Sequence, residues 1–183
     1  MNRRDFLKTI PAAALALTGC GQTQEAPATV DALTLDHAYP LDYAQQFAAD
    51  IYTDGSVLLT IAEDGGKFLI RPEGAAVLSA LPEGVVELRQ PLENLYLVSS
   101  ALMDFFLHLD ALGSIALSGT RAEGWYLEKA KAAMESGQIA YAGKYSAPDY
   151  ERILASHCSL AIENTMIYHT PEVKEQLEKF GMP

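Results

Sequence analysis

Short groups of polar and aromatic residues recur at nearly even intervals in the second half of the chain: Ser99 and Ser100, Thr120 and Arg121, Lys144 and Tyr145, Tyr168 and His169. Together they offer hydroxyl donors, a guanidinium, an ammonium, phenol rings and an imidazole. That is the chemistry of non-covalent recognition through hydrogen bonds, charge and stacking. Covalent chemistry has less to work with. Ser100 with His169 is the one nucleophile and base that a hydrolytic reading can pair. The sequence contains no G-x-S-x-G elbow, no H-E-x-x-H, no paired C-x-x-C, and neither G-x-G-x-x-G nor the P-loop pattern. A hydrolase elbow, a built-in zinc site and nucleotide binding therefore lack support. The acids Glu63, Asp64 and Glu163 are scattered and form no recognisable catalytic pair. No catalytic residue, metal ligand or cofactor is assigned.

Each group falls at the end of an apolar run that reads as a strand. The runs are "LYLVSS", "SIALSGT", "QIAYAG" and "CSLAIENT"; the helical patterns "ALMDFFLHLDALG", "EGWYLEKAKAAMESG", "APDYERILAS" and "TPEVKEQLEKFG" follow them in turn. This alternation predicts an α/β fold with a parallel sheet of four βα units joined by right-handed crossovers. Open parallel sheets bind ligands beyond the carboxyl ends of their strands, where all these groups lie. In the first helix Leu102, Phe105, Phe106, Leu109 and Leu112 recur at helical spacing. In the third, Tyr150, Ile153 and Leu154 face inward and Glu151 faces solvent. In the last, Thr170 stands at the N-cap, Pro171 opens the helix and Glu172 favours its positive end. Val173, Leu177 and Phe180 share one face, and Gly181 closes the helix.

The same residues have structural uses. Ser99 or Ser100 can cap the helix of Met103, and Ser146 the helix of Ile153. Arg121 and Lys144 can be solvated charges, Tyr145 and Tyr168 can pack on neighbouring loops, and His169 can be a linker residue. His108 follows Asp104 by one helical turn, which predicts a local contact. His157 falls at the opposite edge of the sheet and His37 near the tether. Upstream, "SVLLTI" and "KFLIR" flank "AEDGG", a hairpin whose turn is Asp64-Gly65-Gly66. Asp54-Gly55 marks a further strand around "FAADIY". A small β-meander thus precedes the βα series.

The amino terminus carries an address. Arg3 and Arg4 precede the apolar run "TIPAAALALTG", which is shorter than the about 20 residues a permanent span needs. This reads as an export signal. The arginine pair with Phe6, Leu7 and Lys8 resembles a twin-arginine signal, although Asn2 replaces the usual Ser or Thr, so Sec export stays an alternative. Leu17, Thr18, Gly19 and Cys20 resemble a lipobox. That implies a diacylated Cys20 at the mature N-terminus, held to the extracytoplasmic face of the membrane by its lipid. Residues 1–20 are read as signal, 21–40 as a flexible tether and 41–183 as the α/β domain. With Cys20 lipidated, Cys158 has no partner for an intramolecular disulfide and reads as a small core residue in an apolar strand. A formal net charge of −11 argues against nucleic acid as a partner.

Beyond these residue-level readings, "NLYLVSSALMDFFLHLDAL", "AYAGKYSAPDYERILASHCSLAIENTMIYHTPEVKEQLEKFGMP" and the lipobox together resemble the substrate-binding lipoproteins of ABC importers. The closest group is the class III type that binds ferric siderophores, cobalamin and haem. The resemblance covers most of the mature chain and corresponds to the N-terminal lobe alone. In that family two βα lobes joined by a long helix hold the ligand between them, so a C-terminal lobe is expected beyond Pro183. The resemblance implies a binding protein rather than an enzyme, delivering its ligand to an ABC permease and its ATPase. It places Ser99 and Ser100, Thr120 and Arg121, Tyr145, and Tyr168 and His169 in ligand loops, and Glu151 at a contact with the permease. Arg121 and Lys144 favour an anionic ligand such as a ferric siderophore, through charge-assisted hydrogen bonds. Tyr145, Tyr168 and His169 alternatively suit haem iron or a corrin face. A surface-anchored hydrolase-type enzyme and a structural surface lipoprotein are the competing readings.

Overall fold

A computed structural model describes residues 29–62 and 66–183. The export signal, Cys20, the first part of the tether, and Glu63, Asp64 and Gly65 of the hairpin turn lie outside the described residues. The first half of the chain forms β1 (Thr29–Val30), β2 (Leu35–Ala38), β3 (Phe47–Tyr52), β4 (Val57–Ile61), β5 (Lys67–Arg71), β6 (Val77–Leu78) and β7 (Val85–Arg89). The second half forms β8 (Leu95–Leu97), α1 (Met103–His108), β9 (Ile115–Ser118), α2 (Glu128–Glu135) and β10 (Ala140–Tyr141). A short hairpin of β11 (Gly143–Lys144) and β12 (Ala147–Pro148) follows, then α3 (Tyr150–Ala155), β13 (Ala161–Ile162) and α4 (Pro171–Lys179).

The meander is larger than its sequence suggests. It is a five-stranded sheet in the order β2-β3-β4-β5-β7. The hairpin and the strand around "FAADIY" are present as antiparallel neighbours, and β7 returns beside β5 in parallel. Side chains alternate across a strand. The register sets Ile51 against Val57, Val57 against Ile70, and Ile70 against Leu88, so one face of this sheet is apolar. On the other face Arg71 is fully buried; its guanidinium donates to the Ala76 carbonyl and lies 3.6 Å from the Asp54 carboxylate. This ties the end of β5 to the loop before β6. The tether assignment is corrected here. Residues 29–38 are not free: Thr29–Val30 pairs with β6 and Leu35–Ala38 pairs with β3. Edge pairing uses backbone groups, and all of the β2 side chains are exposed, so no apolar pattern announced it.

The second sheet is parallel throughout, in the order β10-β9-β8-β13. Each strand is followed by a helix, as the alternation predicts, and the fold is α/β. One core packs α1 and α2 through Leu97, Met103, Ile115, Trp125, Ala130 and Ile139. The other packs α3 and α4 through Tyr96, Leu117, Ile153, Ile167, Val173 and Leu177. A register shift lets one strand serve both. Leu95 pairs with Ile115 but Tyr96 pairs with Leu117, so Ala116 is the extra residue and Ile115 and Leu117 enter opposite cores.

Several local expectations change. α1 ends at His108, too short to carry the whole stripe: Leu102, Phe106 and Leu112 pack, Met103 is fully buried, and Phe105 and Leu109 are 63% and 76% exposed. Neither Ser99 nor Ser100 caps a helix by its side chain; Leu102 occupies the N-cap of α1. Asp149, not Ser146, caps α3, accepting from the Arg152 amide at 3.1 Å, because Ser146 is taken up by the β11–β12 turn. Ile153 is buried as expected but Leu154 is exposed. Thr170 stands at the N-cap of α4, yet its hydroxyl turns back to the Ile167 carbonyl. Val173 and Leu177 face the core, while Phe180 lies past the helix end with its ring edge-on to Tyr150 at 5.7 Å.

Gly143 joins β10 to the hairpin at φ 86°. A Cβ there would strike the Ala147 carbonyl oxygen, and would stand 2.7 Å from Pro148 Cα and 2.9 Å from the Asp149 nitrogen. Backbone atoms cannot step aside as a flexible side chain can. Gly143→Ala is expected to cost about 3 kcal/mol or more, the strain of positive φ plus the collision. Gly137 has a similar φ of 82° with nothing within 4 Å of its added Cβ, so Gly137→Ala should cost only about 1 kcal/mol. Urea denaturation of the two variants measures the difference.

Candidate functional site

The strand order gathers the sequence-predicted ligand residues on one edge. After β9, the buried Ser118 hydroxyl donates to the Thr120 carbonyl at 2.8 Å and accepts from the Thr120 amide at 3.0 Å. This knot fixes the turn that carries Thr120 and Arg121. The Arg121 guanidinium carbon stands 4.1 Å from the centre of the Tyr141 ring, a cation–π contact between the ends of β9 and β10. Lys144 is exposed in the β11–β12 hairpin, and Tyr145 packs half-buried against the core of α3 and α4. Ser99 is half-buried after β8, where its amide donates to the Ile162 carbonyl at 3.2 Å; Ser100 is exposed. After β13, the Asn164 side chain accepts from the Met166 amide at 2.9 Å and opens a short 3₁₀ turn, Thr165–His169. Ile167 of that turn enters the core, which leaves Tyr168 and His169 exposed.

The chain steps from β8 to β9 to β10 in one direction, then crosses back to lay β13 on the other side of β8. β8 and β13 therefore flank a topological switch point, where crossovers leave to opposite faces and a crevice opens at the carboxyl ends. Ser99 and Ser100 lie on one side of it and the turn of Tyr168 and His169 on the other.

One residue at the switch point escaped the sequence reading. Glu163 follows β13 directly, and both its carboxylate oxygens are buried without a hydrogen-bond partner among the described residues. Burial pushes its acid from an ordinary 4.5 up to about 7. Nearby Tyr96 is pushed up in turn, first by its own burial and then by the charge of Glu163. In the sequence Glu163 stands as one of several scattered acids. Its spacing held a signal: two residues past Ala161, it continues the strand face that enters the core of α3 and α4.

Glu163 also lines a cleft of about 680 Å³ between the two sheets. Lys67, Phe68 and Val86 of the meander sheet form one wall; Ala161, Asn164, Thr165 and Tyr168 form the second; Lys174, Leu177 and Glu178 of α4 complete it. Of the ligand residues read from sequence, Tyr168 is in these walls, and the others lie along the edge outside them.

The remaining candidates have local roles. Glu151 is exposed in the first turn of α3. Cys158 precedes β13 rather than lying in it; it packs on the core, its thiol donates to the Leu160 carbonyl, and burial pushes its pKa up. His108 Nδ1 lies 2.8 Å from the Asp104 carbonyl oxygen, the local contact its spacing predicts. His157 ends α3 at φ 50°. Among the described residues no three His, Cys, Asp or Glu side chains gather where a metal ion could sit, and no helix is long and apolar enough to cross a membrane. Comparison with protein families, curated proteins and solved structures finds no significant match.

The state of Glu163 makes stability depend on pH. Its folded-state pKa of about 7 exceeds the ordinary 4.5, so the folded chain holds the proton more tightly than the unfolded chain. The contribution is fully present below the ordinary value, is lost as pH rises towards about 7, and stays lost above it. Glu163→Gln should remove this slope and be the more stable form under mildly alkaline conditions by about 1–2 kcal/mol, the incomplete burial of the residue as a whole keeping the gain below the full linkage value. Urea denaturation of both forms at acid and alkaline pH checks it. An unchanged slope in the variant would assign the pH dependence to other groups.

Proposed function

We propose that this chain is the N-terminal lobe of a class III solute-binding lipoprotein of an ABC importer, anchored through Cys20 on the extracytoplasmic face of the membrane. It captures an anionic metal chelate of the ferric siderophore kind and hands it to a permease driven by an ATPase. The observation that carries this reading is the shared edge. Ser99 and Ser100, Thr120 and Arg121, Lys144 and Tyr145, and Tyr168 and His169 all follow the carboxyl ends of a parallel sheet with a switch point between β8 and β13. The Arg121–Tyr141 cation–π contact supports the ligand class. The ring holds the guanidinium by its charge, and guanidinium N–H groups suit an acidic acceptor.

Calorimetric titration of the full-length two-lobed protein with a ferric siderophore, haem and cobalamin tests the reading, and silence with all three would sink it. Arg121→Ala should weaken the ferric siderophore about tenfold, the loss of one charge-assisted contact. Glu151, exposed in the first turn of α3, is the proposed permease contact. Glu151→Ala should leave ligand affinity intact and reduce uptake in cells. Lost ligand affinity would instead assign Glu151 to the pocket or the fold.

A further inference from the structure

The cleft between the two sheets has a chemistry of its own and shares only Tyr168 with the ligand edge. We propose that it binds a small organic ammonium ion with an apolar body, its charged head received by Glu163. The cleft volume of about 680 Å³ falls inside the range of small-molecule pockets, about 300–1,000 Å³. Phe68, Val86, Ile167 and Leu177 offer an apolar lining. Val86 is 39% exposed although it belongs to the apolar face of its sheet, so this wall has surface left to bury.

The head group follows from Glu163. A buried carboxylate with neither oxygen bonded carries a desolvation cost that a donor would offset. The surrounding groups do not supply one. Tyr96 from β8 gives its hydroxyl proton to the Gly143 carbonyl at 2.8 Å. Lys174 and Glu178 of α4 pair with each other at 2.5 Å, and no ion pair joins Lys67 of β5 to Glu163 among the described residues. An ammonium brings both the donors and the opposite charge. Glu163 lines the cleft with both carboxylate oxygens covered, so the carboxylate must turn about its side-chain bonds to meet the ligand. None of Ser99, Thr120, Arg121 or Lys144 lines the cleft, and the charged head is received by Glu163, which the importer reading does not use.

Calorimetry with tryptamine and with its neutral counterpart tryptophol decides the matter, since the two share ring and chain and differ in the head group. The amine should bind about tenfold more tightly, as expected for a charge-assisted bond replacing a neutral one. Its affinity should rise with pH up to about 7, because Glu163 must release its proton to pair with the ammonium. Glu163→Gln should remove the preference for the amine. Val86→Trp, which fills the cleft from the meander side, should abolish binding of both compounds with the thermal transition retained, and it serves as the test if Glu163→Gln does not fold. Equal affinity for amine and alcohol, no binding of either, a preference that survives Glu163→Gln, or amine binding unchanged in Val86→Trp would each overturn the proposal.

Discussion

Tyr96 is wholly buried in β8, between β9 and β13, and its hydroxyl donates to the Gly143 carbonyl at 2.8 Å. A hydroxyl at that depth must have an acceptor, and this one comes from the junction between β10 and the hairpin. The junction can be there because residue 143 has no side chain: its φ is 86° and the chain folds back on it through Ala147, Pro148 and Asp149. The Asp149 amide closes the fold-back on the Ala142 carbonyl at 2.8 Å, and the Asp149 carboxylate then caps α3. The position of Lys144 and Tyr145, the start of α3 and the entry of Ile153 into the core thus depend on one phenol and one glycine.

Around that anchor the parallel sheet has to bury both faces. The bulge at Ala116 divides the apolar residues of β9 between the two cores. The consequence at the far side of β8 is less comfortable. β13 is only Ala161–Ile162, and the residue continuing its inward face is an acid. Glu163 is held there by chain direction rather than by hydrogen bonds, since its oxygens have none among the described residues. Polar groups left unsatisfied in a folded chain are costly, and this one borders the crevice between the sheets.

The strand–helix alternation, the edge position of the polar groups and the hairpin were legible because each rests on short-range periodicity and turn chemistry. What was missed depends on pairing at a distance. β1 is held by backbone bonds to β6 far along the chain, β2 is an exposed edge with little pattern of its own, and β7 pairs with β5 across the intervening β6. Ser146 read as a cap because it precedes a helix. Its backbone was instead claimed by a hairpin, and the capping role passed to Asp149. The stripe of α1 failed for a related reason. The helix stops at His108 and Asp110 takes a positive φ, which turns Leu109 out to solvent.

The sequence by itself determined the class of fold, the number and order of the βα units and the edge to which the polar loops belong, because strand direction and connection length are local properties. Tertiary structure alone decided which strands touch. It put β13 beside β8 and created the switch point, brought the meander sheet opposite α4 to enclose a cleft, and sealed the Glu163 oxygens away from water. Burial is a property of what surrounds a side chain, and for Glu163 those surroundings come from β8, from the turn that follows β13 and from α4, segments that only the folded chain brings together.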